Sequence, residues 1–296
     1  MFSKFEMQLK RYLYYDRLVL ITLLFLVIHF YVYDWWIRGL CIISIFMFFI
    51  LKENVRAKIS LSLLFISLAT YLFFYWFDVN NHDFLIFYWV GICLLTCFQK
   101  NKRSYISNNA RNLIVLVFSF ASFWKFTTPQ YRSGANIKTL SVVDSRINVI
   151  PIALNDMTKQ DILYENRLLD MLRYDPDNKI LRVSRQDQGQ MSFSIYMYIS
   201  WLVILGEFLI ALLFLLSKFI NTFKKIAHYV FISFIFITYQ VVPISGFSFI
   251  LSILGFATLN EENKLINNLY YITMLLAIIN PDISIGKIIL EGVPKF

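Results

Sequence analysis

Among the ionisable side chains in or at the mouths of long apolar stretches of the sequence, His29, His82, Lys125, Glu207 and His228 are the candidates for chemistry. A charge at the centre of a bilayer costs roughly 2.5–3.5 kcal/mol even on lenient scales, so residues of this type in such positions are informative by location alone. Lys125 is flanked by Phe123, Trp124 and Phe126. Such surroundings disfavour the ammonium and favour the free amine, which can serve as a general base. The competing reading is a side chain that extends its charge to a nearby interface. Glu207 follows Gly206 near the middle of the apolar stretch 193–217, with no basic residue close in sequence. It is either protonated and hydrogen-bonded or paired with a group on another helix. His82 stands in Asn80-Asn81-His82-Asp83, at the mouth of an apolar segment, where a solvated or helix-capping role competes with chemistry. His29 reads as a packed, hydrogen-bonded histidine. His228, just after Lys224 and Lys225, reads as a structural residue at the cytoplasmic mouth of its segment.

Other chemistries find no support in the sequence. It has no glycine-rich phosphate loop, no His-x-x-x-His or clustered His/Cys spacing for a metal, and no Gly-x-Ser-x-Gly elbow. Cys41, Cys93 and Cys97 all lie in apolar segments. An odd number of such thiols gives no disulfide framework, and Cys93 and Cys97 lack two further ligands for zinc. A basic residue without metal or phosphate machinery points to proton abstraction or to a channel-like role.

The elements that must carry these residues follow from composition. Of 296 residues, 58% are hydrophobic and only 16% charged, with a mean hydropathy of +0.60. A soluble domain carries about 25% charged residues. A soluble enzyme, a disordered tail and a secreted disulfide scaffold are thereby excluded, and nine glycines and six prolines are too few for the turns of a β-barrel. Apolar stretches occupy 17–36, 37–52, 59–77, 83–99, 112–127, 193–217, 226–242, 244–259 and 266–281. Since a helix needs about 20 apolar residues to cross a bilayer, the expectation is an all-α polytopic transmembrane bundle of about eight or nine spans.

Charge sets the expected orientation. Alternate connections collect Lys4, Lys10, Arg11 and Arg17, then Lys52, Arg56 and Lys58, then Lys100, Lys102, Arg103 and Arg111, then Lys218, Lys224 and Lys225. The opposite side receives Arg38 alone, beside Asp34, Asp78 and Asp83. The positive-inside rule places the N-terminus in the cytoplasm and explains the net charge of +9 without a nucleic-acid partner. The expected location is the plasma membrane of a bacterium, with the lipid bilayer as the first partner. Lys125, 14 residues after Arg111, then sits roughly 21 Å across, in the outer third, and His29 and His82 face the same side.

The expected organisation is transmembrane helices over 1–127, an extracytoplasmic cap over 128–192, and further transmembrane helices over 193–296. Within the cap, Thr158 to Asp161 resembles a capping arrangement ahead of an amphipathic helix through Ile162, Leu163, Leu168, Leu169 and Leu172. Asp175-Pro176-Asp177-Asn178 predicts a turn, and 179–184 a short strand. A cap of this size covers the outer face but cannot hold an independent catalytic core.

Two of these segments resemble motifs of a known family. Asn80-Asn81-His82-Asp83-Phe84-Leu85 resembles the Asn-Asn-His-x-x-Leu segment of the vitamin K-dependent γ-carboxylase. The run Phe123-Trp124-Lys125-Phe126-Thr127-Thr128-Pro129-Gln130-Tyr131-Arg132-Ser133-Gly134 is similar to that family's second motif and to the Lys, Pro, aromatic, Gly run of the horizontally transferred transmembrane (HTTM) proteins. His228 with Gly246-Phe247, and Glu207-Phe208, are weaker matches, and the resemblance covers about 75–256. It implies that Lys125 deprotonates a reduced quinone and that His82 assists later carboxylation chemistry. This chain departs from the carboxylase in having only the 128–192 cap where the latter has a large extramembrane domain, and in a shorter spacing from His82 to Lys125. Some bacterial members serve peptide maturation or export, with a peptide or protein as substrate and no carboxylation implied. Two rival expectations follow: a non-catalytic membrane component of a peptide maturation, export or immunity system, and a proton-coupled transporter built on Glu207. The transporter would bring inverted repeats and a broken helix, and neither is visible in the sequence.

Overall fold

The computed structural model describes residues 2–29, 35–75, 81–143, 149–153, 156–158, 160–162, 164, 190–240, 245–259 and 263–279. All regular secondary structure among the described residues is helical: α1 (Phe2–His29), α2 (Trp35–Ile50), α3 (Glu53–Phe74), α4 (Asn81–Thr96), α5 (Lys102–Thr127), α6 (Pro129–Arg132), α7 (Ala135–Val143), α8 (Val149–Ala153), α9 (Gln190–Leu216), α10 (Asn221–Ile235), α11 (Ser245–Ala257) and α12 (Lys264–Ile279). A π-helical turn, Phe236–Gln240, extends α10. Two of the helices are long and apolar enough to cross a membrane, over Val55–Phe74 and Ile195–Leu216. Shorter apolar stretches lie in α2, α4, α11 and α12. The chain forms two compact units, one of Met1–Ile114 with Ser245–Ile278 and one of Val115–Ile244 with Ile279–Phe296.

In the first unit, α1 and α4 are joined by polar contacts that recur every seven residues on α1. The Tyr15 hydroxyl donates to the Cys93 carbonyl at 2.6 Å, the Trp89 indole N–H donates to Thr22 Oγ1 at 3.0 Å, and His29 Nε2 meets Asp83 Oδ1 at 2.9 Å. Seven residues make almost two full turns, so the three groups share a stripe with rungs about 10.5 Å apart. Their partners run backwards along α4, which makes the pair antiparallel. In apolar surroundings a polar group without a partner is costly, so a slip of register would strand all three rungs at once. Helix α11 packs on the same side of α1, with the Phe25 and Phe249 rings stacked at 4.6 Å and the Tyr14 hydroxyl donating to the Phe256 carbonyl at 3.0 Å.

Helices α11 and α12 approach closely at Gly255. A Cβ there would lie 2.4 Å from the ring of Tyr270, which is fully buried. Gly255→Ala is therefore expected to destabilise the first unit by ~1–3 kcal/mol, the usual cost of overpacking. A thermal melt of the purified protein in detergent checks it, and an unchanged midpoint would show that Tyr270 can move aside.

The second unit is centred on an aromatic cluster. Phe118 of α5 meets Phe231 and Phe234 of α10 edge-on, at 5.6 and 5.5 Å, and Phe214 of α9 meets Phe231 at 5.2 Å. His228 packs edge-on against Phe214 at 5.5 Å and is buried. In the 128–192 segment, the expected helix-capping arrangement is present: the Thr158 N–H donates to Asp161 Oδ2 at 3.0 Å and the Asp161 N–H donates back to Thr158 Oγ1 at 3.2 Å, ahead of buried Ile162. The expected turn at Asp175–Asn178 and strand at 179–184 lie outside the described residues, as do Leu163, Leu168, Leu169 and Leu172 of the expected amphipathic helix.

Candidate functional site

Lys125 and Glu207, 82 positions apart, form an ion pair inside the second unit. The segment that follows Lys125 fixes the geometry. Thr127 and Thr128 turn their hydroxyls back onto the Phe123 and Trp124 carbonyls, which closes the last turn of α5. Pro129 then occupies the first position of α6, where its missing N–H costs nothing. The chain leaves α6 through Gly134, whose φ of 81° lies in the left-handed region that favours glycine. The Gly134 N–H donates to the Tyr131 carbonyl at 3.0 Å.

This turn is pressed against α9. A Cβ on Gly134 would lie 2.4 Å from the backbone nitrogen of Met197, so the close approach requires its absence. Ser200 Oγ donates to the Tyr131 carbonyl. Seven residues further along α9, on the same stripe as Ser200, stands Glu207. The run Lys125, Tyr131, Gly134 thus meets Glu207, Ser200 and Met197 in reverse order, three anchor points along one helix.

Glu207 is 4% exposed. Its Oε1 accepts from the Lys125 ammonium, and its Oε2 is buried without a hydrogen-bond partner among the described residues. Tyr131 lies beside the pair: its ring centre is 6.0 Å from Lys125 Nζ and 5.2 Å from the ring centre of Trp124. Burial and the charge of Glu207 hold the Tyr131 phenol above its ordinary pKa, and a hydrogen bond with Asn136 acts in the opposite direction. The neighbouring turns are tied to α9 as well, since Asp156 bonds both Lys138 Nζ and the Tyr196 hydroxyl at 3.3 Å.

The outer faces of α5 and α9 enclose an apolar groove of about 650 Å³, walled chiefly by Phe120, Phe123, Phe126, Trp201, Leu205 and Phe208. Ser122 and Ile204 also line it, each one turn before a member of the ion pair. Between Leu116 and Phe126 the groove runs for about 15 Å, half the thickness of a hydrocarbon core. Neither Lys125 nor Glu207 is among the residues lining the groove; the pair lies one turn beyond Ser122 and Ile204.

The remaining candidates fall elsewhere. His29 pairs with Asp83 in the first unit, where both side chains are buried. His29 ends α1 and Asp83 lies in the first turn of α4. His82 opens α4 in the same unit, and its side chain lies outside the described residues. His228 belongs to the aromatic cluster. No group of three or more His, Cys, Asp or Glu side chains able to hold a metal occurs among the described residues. The sequence pattern did not single out Asp83, Ser200 or Tyr131 as partners. The repeated spacing Tyr15, Thr22, His29 is the signal that points to the first of them. Comparison with protein-family models, curated proteins and solved structures finds no match for this chain.

Proposed function

We propose that the chain is a polytopic membrane protein of HTTM-like type and that the Lys125–Glu207 pair abstracts a proton from a quinol or other lipid-like molecule held against α5 and α9. The observation that carries the reading is the pairing of the one lysine in an apolar setting of α5 with the one acid in the apolar stretch of α9. The large apolar side chains exposed on α2, α5 and α9, among them Phe46, Phe49, Phe120, Leu202 and Phe208, support a bilayer setting. In it, basic connections face the cytoplasm and the 128–192 cap covers the outer side.

The chemistry balances without further groups. The pair holds one proton between amine and carboxylate. Taking a second from the substrate leaves Lys125 as ammonium and Glu207 as the acid, with the new anion facing the ammonium. Apolar walls keep that attraction strong by excluding water. The groove suits the prenyl or acyl tail of such a substrate.

Reduced menaquinone in detergent micelles tests the reading. The wild-type protein is expected to accelerate its oxygen-dependent oxidation, and Lys125→Gln and Glu207→Gln each to lose about 10²–10⁴-fold of that acceleration. Full turnover by Lys125→Gln would overturn the assignment, and a wild-type rate equal to the uncatalysed one would remove the quinol from it.

A further inference from the structure

The turn between α4 and α5, in the first unit, holds a second cavity of different character. It has a volume of about 540 Å³ and is walled by Phe98, Gln99, Lys100, Asn101, Ser104 and Tyr105, with Asn108 behind. Where the groove of the second unit offers rings, this wall offers an ammonium, amides and hydroxyls.

Three cations surround the turn. Lys100 lines the cavity. Lys58 Nζ of α3 sits 5.1 Å over the ring of Phe98, itself a wall residue, and Lys102 Nζ of α5 sits 5.0 Å over the ring of Tyr15. Lys102 directly follows Asn101 of the cavity wall, and Lys58 reaches that wall at Phe98, so both cations border the turn. Arg103, over Tyr14 at 5.1 Å, extends the row. A charge that only fixes topology can be placed anywhere in its loop. Cations seated on aromatic faces are held in place and partly desolvated, which strengthens their pull on an anion. Asp16, the carboxylate next to Tyr15 on α1, is bonded by Arg56. Asn101 caps α5, taking the Ser104 N–H at 3.3 Å.

We propose that the α4–α5 turn binds the phosphate of an anionic membrane lipid, with Lys58, Lys100 and Lys102 around the phosphate and the side chains of Asn101 and Ser104 as hydrogen-bonding partners. A cavity of this size holds far more than one phosphate, since a water occupies about 30 Å³. Phe98, 64% exposed, offers an apolar surface to the start of an acyl chain. The proposal rests on the membrane reading above but not on proton chemistry, so Lys125→Gln is expected to bind lipid as the wild type does.

The full chain in phosphatidylcholine nanodiscs with graded phosphatidylglycerol, read by native mass spectrometry for retained phosphatidylglycerol, provides the test. Removing Lys58 and Lys102 together, as Gln, is expected to weaken retention roughly 25-fold, about fivefold for each cation. Removing Lys218 and Lys225 in the same way takes two charges from elsewhere and is expected to change retention less than twofold. Equal losses in the two double variants would overturn the proposal in favour of general charge attraction. Undiminished retention by a folded Lys58→Gln/Lys102→Gln protein would also overturn it. Should that variant fail to fold, exposed Lys100→Gln serves instead, with an expected fivefold loss and no loss as the contrary result. Inorganic phosphate at millimolar concentration is expected not to displace the lipid, and displacement would reassign the site to free phosphate.

Discussion

Lys125→Met is expected to destabilise the second unit by about 3–5 kcal/mol, because it leaves the Glu207 carboxylate buried and uncompensated. The carboxylate is held between helices, and among the described residues its second oxygen has no hydrogen-bond partner. Glu207→Met should cost a similar amount by stranding the ammonium, slightly less since Lys125 is more exposed, at 17% against 6% for the two side chains. The double variant Lys125→Met/Glu207→Met is expected to recover most of the loss, since a buried ion pair replaced by apolar side chains of similar volume is often neutral in stability. The energies therefore should not add, as expected for residues in direct contact. Thermal or denaturant unfolding of the four proteins in one detergent gives the cycle. Additive losses in the double variant would show that the pair is not the source of the cost. Turnover separates the two roles: a double variant that is stable and inactive keeps Lys125 and Glu207 as a functional pair.

Why the helices were legible in the sequence and the site only partly so has a physical explanation. A helix in an apolar setting satisfies its own backbone, so every long apolar run had to be helical, and α2, α3, α4, α9 and α11 lie within a few residues of the expected stretches. The starts of α1 and α5 were not visible by that criterion. Both begin in charged segments, at Phe2 and Lys102, where hydropathy carries no signal while Lys, Arg and Gln continue the helix well. The capping box at Thr158 and Asp161 was legible because it is local, three residues from donor to acceptor. Lys125 and Glu207 were each conspicuous by their cost, but their meeting depends on how α9 lies against the turn at Gly134, which no spacing along the chain encodes. The His29–Asp83 pair lies between these cases. Its partner is 54 residues distant, yet the rungs at Tyr15, Thr22 and His29 repeat at a period that only one helix face can produce.

Gly134→Ala is the second change from which a large effect is expected, and it acts on the pair without touching either member. A non-glycine residue at a φ of 81° costs about 1–2 kcal/mol in backbone strain alone. The added Cβ would also fall 2.4 Å from the Met197 nitrogen and 2.8 Å from its Cα. These are backbone atoms inside a 27-residue helix and cannot swing away as a side-chain tip can. The α6 turn must then lift from α9, which draws Tyr131 from Ser200 and changes the approach of Lys125 to Glu207. A total loss of ~3 kcal/mol or more follows from strain and overpacking together. Gly206→Ala, one residue from Glu207, provides the contrast: its Cβ would meet the Phe234 ring at 3.4 Å, an ordinary contact, in the middle of a helix. There alanine gains up to ~1 kcal/mol in helix propensity, so the protein should be as stable as the wild type or slightly more so. The mechanism is checked by placing Gly134→Ala on the Lys125→Met/Glu207→Met background. If the turn matters only as a packing element, its cost is unchanged there. If it matters because it seats the ion pair, the cost falls toward the bare strain of the backbone.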